Sequence, residues 1–104
     1  MTALIKLKNI EAAGSAFPPD IRRTPIIPPA RESAEIGNER CFLQCENLQV
    51  TGAYKVRAAF TMLTAFPDDA RNKGVILTSS GNFAHASVFA GRTRWVPITV
   101  VMLY

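Results

Sequence analysis

Apolar and polar positions change their rhythm several times along the chain, and each change marks an element. "TALIKLKNIEAAGSAF", residues 2–17, spaces Ile5, Ile10 and Ala13 like the thin apolar stripe of a first helix, with Gly14 near its end. "PPDIRRTPIIPPA" then holds five of the seven prolines and cannot be a regular helix; Thr24 to Ile27 suits a short edge strand or extended segment. "IGNE" reads as a turn, and "RCFLQCENLQV", residues 40–50, as the first full strand. Residues 53–66 return to helical spacing, with Arg57, Thr61 and Thr64 on one polar stripe. "PDDARNKG" reads as a loop or short helical turn. "GVILTSS" is an apolar run bounded by Gly74 and small polar residues, the look of a buried parallel strand. "GNFAHASVFAGR" follows as an alanine-rich helix closed by Gly91, and "VPITVVML" as another buried strand.

From residue 53 onward the order is helix, strand, helix, strand. That is a βαβ unit feeding a parallel sheet, so the fold class is α/β. Parallel strands need helices over both faces, and two strands make too small a sheet to bury such apolar edges. The pattern predicts a truncated piece of a larger parallel-sheet fold.

Composition narrows the function classes. A chain of 104 residues with 48% hydrophobic and 19% charged content has the makings of one packed small domain rather than a disordered segment. Net charge is +4 with a pI near 9.5, but the basic residues are scattered and no run of five exists, which argues against nucleic acid as a partner. Cys41 and Cys45, read as lying on one strand, would be about 13 Å apart, too far for a disulfide. With His85 the only histidine, a zinc site lacks ligands, so two free thiols in a reducing compartment are expected. The amino terminus lacks the apolar core of a signal peptide, and the longest apolar run, Val96 to Tyr104, is too short to cross a bilayer. A soluble cytoplasmic protein without a membrane partner is the expectation.

Two places could carry chemistry. Lys55 falls opposite the polar stripe of its helix, among Ala59, Met62 and Phe66, and in the first turn, where the helix dipole is positive. Both surroundings disfavour a charged amine, which is how a lysine becomes a nucleophile. The alternative is a lysine that snorkels to water. "TSSGN", residues 78–82, is a strand-to-helix turn whose backbone N–H groups could cradle an anion, with Ser79, Ser80 and Asn82 as side-chain partners and Gly81 allowing close approach. The alternative there is ordinary helix capping. It is neither a P-loop nor a dinucleotide fingerprint. His85, among alanines, reads as a structural histidine, and "FTMLTAF" as core.

Taken together, "TPII", "LQCENLQVTGAYKVRAAF", "GVILTSSGNFAHA" and "VPITVVM" resemble the amino-terminal third of the fold-type II pyridoxal-phosphate enzymes. The nearest branch is that of the threonine/serine dehydratases and serine racemase. The resemblance spans about residues 24–102 and implies pyridoxal 5'-phosphate as cofactor and serine or threonine as substrate. It implies that Lys55 is the lysine that holds the cofactor and later moves the substrate α-proton. Tyr54 matches the aromatic position against the cofactor ring, and Asn82 the asparagine that hydrogen-bonds its phenolic oxygen. Ser79, Ser80, Gly81 and the backbone of Phe83 match the loop that receives the substrate carboxylate. Residues 1–52 correspond to a strip of the large domain and 53–104 to part of the small one, in a family whose full-length members are expected to be homo-oligomers.

The departures are Ala58 where the family usually has glycine, Gln44 for a common lysine, and Phe83 and His85 where histidine and glutamine are frequent. No glycine run for the cofactor phosphate is present. Three functions therefore stand: a dehydratase- or racemase-type fragment, inactive by itself; a non-catalytic interaction module using "ITVVMLY"; and a small anion-binding module using "TSSGN" alone.

Overall fold

A computed structural model describes residues 3–29 and 41–103. The turn expected at "IGNE", the start of the strand expected at Arg40, the first residue of the expected opening helix (Thr2) and the terminal Tyr104 lie outside the described residues.

The first helix, α1 (Leu7–Ser15), is shorter than its apolar spacing suggested and buries none of its residues. Its start is fixed by the Lys6 N–H donating to Asn9 Oδ1 at 2.9 Å. The proline-rich stretch stays extended, and β1 (Ile26–Ile27) pairs antiparallel with β2 (Leu43–Gln44). Within the described residues the strand expected over 40–50 thus shrinks to two. After Cys45 the chain coils into a 3₁₀ turn, Glu46–Leu48, because Glu46 and Gln49 turn inward to hydrogen bonds that an extended chain could not reach. Cys41 and Cys45 are free thiols.

Helix α2 (Lys55–Ala65) buries Val56, Ala59, Phe60 and Leu63, a single face at helical spacing. Its polar stripe lies outward, with Thr61 and Thr64 exposed. "PDDARNKG" forms a short helix, α3 (Asp68–Lys73), with Asp68 and Asp69 in the first turn and Arg71 and Lys73 in the last, the charge order a helix dipole favours. Gly74, at φ 87°, ends it.

Strand β3 (Val75–Thr78), helix α4 (Asn82–Arg94) and strand β4 (Ile98–Val101) make the expected βαβ unit, but neither strand is buried as expected: both alternate half-buried and exposed residues. The strands pair in parallel, Val75 with Ile98 through Thr78 with Val101. Helix α4 packs on α2, where Phe60 and Phe89 meet edge to face at 6.3 Å between ring centroids. The core is Val56, Ala59, Phe60, Leu63, Ala86, Ala90 and Val96, flanked by Phe17, Phe66, Phe83 and Ile98. Of "FTMLTAF", expected as core, Phe60 and Leu63 are core residues and Met62 and Phe66 pack against them, while Thr61, Thr64 and Ala65 are exposed.

Gly91 does not close α4. It lies inside the helix, fully packed: a Cβ there would sit 2.3 Å from Ile98 Cγ1 and 2.7 Å from the Val96 carbonyl oxygen. The helix runs on to Arg94 and ends at Trp95, which takes the left-handed conformation at φ 57°.

Candidate active site

The segment that delivers Lys55 is held by a dense polar cluster. Gln49 is buried, and every hydrogen-bonding position of its amide is used. Its Oε1 accepts from the N–H groups of Arg22 (2.8 Å) and Val50 (3.0 Å), while Nε2 donates to the Arg22 carbonyl (2.9 Å) and Glu46 Oε2 (3.1 Å). Glu46 Oε1 accepts from Arg57 Nε at 2.6 Å and from Gln44 Nε2 at 3.3 Å. Arg57 Nη2 reaches the Arg22 carbonyl at 3.3 Å. The chain then turns at Gly52, whose φ of 75° suits glycine, with its N–H donating to the Gln49 carbonyl at 2.8 Å.

Tyr54 precedes α2 and Lys55 is its first helical residue. The Lys55 side chain is half-buried, and Nζ lies 5.4 Å from the centroid of the largely exposed Tyr54 ring. Neither ion pair among the described residues, Arg57–Glu46 or Arg71–Asp68, involves Lys55. The amine and a flat aromatic surface thus stand side by side.

The second candidate lies where β3 gives way to α4. The Ser79 hydroxyl accepts from the N–H groups of Ala84 (3.1 Å) and Gly81 (3.4 Å), so capping is realised, by a residue three positions before the helix. Its proton remains available for donation. The N–H groups of Asn82 and Phe83 open the helix and have no acceptor within it. Ser80 and Asn82 are exposed, and the space a Cβ on Gly81 would fill is open. A hollow of about 240 Å³ beside the loop is lined by Thr78, Ser79, Ser80, Val101 and Leu103. The Phe83 ring, by contrast, packs on the core, so only its backbone faces the loop's chemistry. His85 departs from expectation. It is exposed at the rim of a hollow of about 340 Å³ with Gly81, Ala84, Val88, Val100 and Met102.

The structure therefore brings Tyr54 and Lys55 together on one element, and Ser79 to Phe83 together on another, with α2 and α4 in contact. No hydrogen bond joins Lys55 to Asn82 among the described residues. In the sequence Arg57 stands out only as part of a polar stripe, and Glu46 and Gln49 only as letters of a strand-like run. The signal available was polar Glu46 and Gln49, three apart, in a run otherwise flanked by Leu43, Leu48 and Val50.

A family model described as "Pyridoxal-phosphate dependent enzyme" matches residues 18–103. The chain belongs to the pyridoxal-phosphate-dependent enzyme family. It is 34% identical over 99 residues to the catabolic L-threonine dehydratase of Staphylococcus aureus, covering 95% of this chain and 29% of that enzyme. It is 42% identical over 80 residues to an L-threo-3-hydroxyaspartate ammonia-lyase of a Pseudomonas species, covering 77% of this chain and 25% of the relative. Among solved structures, maize serine racemase superposes with a TM-score of 0.81 at 31% identity, over 92% of this chain and 30% of that one. The α/β architecture is thus that of a serine racemase, of which this chain spans less than a third.

The residues present fit part of the family's cofactor. An amine beside an aromatic ring suits an aldehyde carried on a flat heterocycle, and the open ground at Gly81 with unsatisfied N–H groups suits an anion. The cofactor's phosphate finds no glycine-run cradle, since the glycines of the sequence all stand singly. No helix among the described residues is long and apolar enough to cross a membrane, and no cluster of three metal-ligating side chains occurs among them.

Proposed function

We propose that this chain carries the lysine and the carboxylate-binding loop of a pyridoxal-phosphate-dependent enzyme acting on a β-hydroxy amino acid, serine or threonine. The observation that carries the proposal is a family match over residues 18–103, a range that includes both the Lys55 turn and the "TSSGN" loop. The three relatives are named for threonine, hydroxyaspartate and serine, amino acids that share an α-carboxylate and a β-hydroxyl.

In this scheme the Lys55 amine is the covalent anchor and afterwards the base that moves the substrate α-proton, with Tyr54 as a wall against the ring and Asn82 as a donor to its phenolic oxygen. The Asn82 and Phe83 N–H groups and the hydroxyls of Ser79 and Ser80 receive the substrate carboxylate, and Gly81 leaves room for it. When bound, the cofactor supplies the electron withdrawal that loosens the α C–H bond. Residues 1–52 belong to the large domain and 53–104 to the small one. The chain alone is inactive, because it gives the phosphate no cradle. The complete enzyme is a cytoplasmic homo-oligomer that needs neither nucleic acid nor membrane.

The test is direct. Purified chain is incubated with pyridoxal 5'-phosphate, reduced with borohydride and mapped by mass spectrometry. The label is expected at Lys55 and is lost in Lys55→Ala; a label shared among Lys6, Lys8 and Lys73, or unchanged in the variant, overturns the proposal. A second reading, a non-catalytic interaction module, has its own support: β4 pairs only with β3 among the described strands, and Met102 and Leu103 beyond it are exposed. Association that is indifferent to both cofactor and Lys55→Ala would favour it.

A further inference from the structure

Helix α2 is gripped from two directions. Val56, Ala59, Phe60 and Leu63 hold it against the core, and Arg57, about 100° further round than Val56, ties it to Glu46 and the Arg22 carbonyl. Two anchors about 100° apart fix the rotation of a helix about its axis, which one apolar face alone leaves loose. At about 100° per residue Lys55 lies on the other side of Val56 from Arg57, so its direction is set by the same two anchors. The grip also reaches Lys55 from the other side in sequence. Gln49 is locked six residues before it, and only the five residues Val50 to Tyr54, with the turn at Gly52 among them, intervene.

We infer that Glu46, with Gln49 and Arg57, is a positioning residue for Lys55: the carboxylate fixes the rotation and start of α2, and with them the place of the amine. A pair tuned only for surface stability would not need this arrangement. The Glu46 side chain is only 17% exposed, and both its oxygens are committed: Oε1 to Arg57 and Gln44, Oε2 to buried Gln49. Removing the carboxylate leaves a part-buried guanidinium without its anion and Gln49 without one of its acceptors. The first turn of α2 then has only its core face and the long Arg57 bond to the Arg22 carbonyl to hold it.

The inference rests on the cofactor role proposed for Lys55, and the experiment separates the two. The 104-residue chain is labelled with pyridoxal 5'-phosphate and borohydride. The yield at Lys55 is expressed relative to Lys6, Lys8 and Lys73 of the same molecules, as wild type, Glu46→Ala, Glu46→Gln and Ile98→Val. Circular dichroism confirms that each is folded at the labelling temperature. Ile98→Val loosens the core without touching the cluster, so a merely structural effect would appear there too. The expected result is a preference for Lys55 that falls about tenfold in Glu46→Ala, falls less in Glu46→Gln and persists in Ile98→Val. An unchanged preference in Glu46→Ala, or an equal fall in Ile98→Val, overturns the positioning role and leaves the proposed cofactor site standing. If wild type shows no preference for Lys55, the cofactor site fails. Acetic anhydride, which needs no cofactor pocket, then decides the rest: a Lys55 acetylation ratio shifted by Glu46→Ala but not by Ile98→Val supports the clamp, and an unshifted ratio sinks it.

Discussion

Ser87 sits in the middle of α4 with no exposed surface, and its hydroxyl has no hydrogen-bond partner among the described residues. A buried hydroxyl without a partner loses its water and gains nothing in return, at a cost of about 1–3 kcal/mol. Its neighbours in the core, Ala86 and Ala90, show that a methyl side chain suits this face. Ser87→Ala should therefore stabilise the chain by about 1 kcal/mol, read as a higher urea midpoint at unchanged slope. A lower midpoint would mean that the hydroxyl has a partner after all. The contrast with Gln49 is instructive. That side chain is as polar and almost as buried, yet all four of its bonds are made, so the same substitution there would leave the Arg22 N–H bare and its carbonyl with only the longer bond from Arg57. Burial alone does not distinguish a liability from a lock; the list of partners does.

Among the elements, the end of α4 shows best what could and could not be read from the sequence. The alternation of helix and strand after residue 53 and the parallel pairing follow from periodicity, whereas the face of α2 is rotated: the spacing points to Ala59, Met62 and Phe66, and the helix buries Val56, Ala59, Phe60 and Leu63. The end of α4 does not follow from periodicity either. Gly91 looked like a terminating glycine but is kept small by Ile98, which crosses over it from the neighbouring strand, a contact no local pattern announces. The left-handed terminal position went to Trp95, which is 92% exposed and so gains almost no packing for its strain. Trp95→Gly should raise stability by about 0.5–1 kcal/mol, after allowing for glycine's greater freedom in the unfolded chain. Gly91→Ala should lower it by about 1–3 kcal/mol, since the new methyl meets Ile98 and a backbone oxygen. Equal effects of the two substitutions in a melt would refute this account of the helix end. The candidate site was legible for the same reason as the helices and blurred for the same reason as their ends. Lys55 stands out by its place among Ala59, Met62 and Phe66, but the face α2 buries is Val56, Ala59, Phe60 and Leu63, with Lys55 half-buried at its flank. The Glu46–Gln49 cluster depends on Arg22, 27 residues before Gln49, and a strand-like run hid it.

At the scale of the molecule, the balance of buried and exposed apolar surface sets the behaviour of the chain. Eight hydrophobic side chains are buried among the described residues, and four of them are alanines, Ala59, Ala84, Ala86 and Ala90. Against this small core, Ile76 on β3 is 76% exposed, Val101 on β4 is half-exposed, and Leu4, Ile5, Leu7 and Ile10 around α1 face outward. A two-stranded parallel sheet with α4 packed beside it still presents apolar surface, whereas sheets of this kind are normally covered on both faces. A chain that spans 29% of its dehydratase relative thus displays surface that a small core cannot compensate. Association between copies would cover part of it, and folding would then be linked to concentration. A tenfold rise in chain concentration should raise the melting temperature by a few degrees, the shift expected when each step of folding also forms an interface. The same rise should reduce the binding of a hydrophobic dye per chain. A melting temperature that stays constant across two decades of concentration would show that Phe60, Leu63 and their neighbours hold the fold alone. The bare face of β3 and β4 would then have no part in stability.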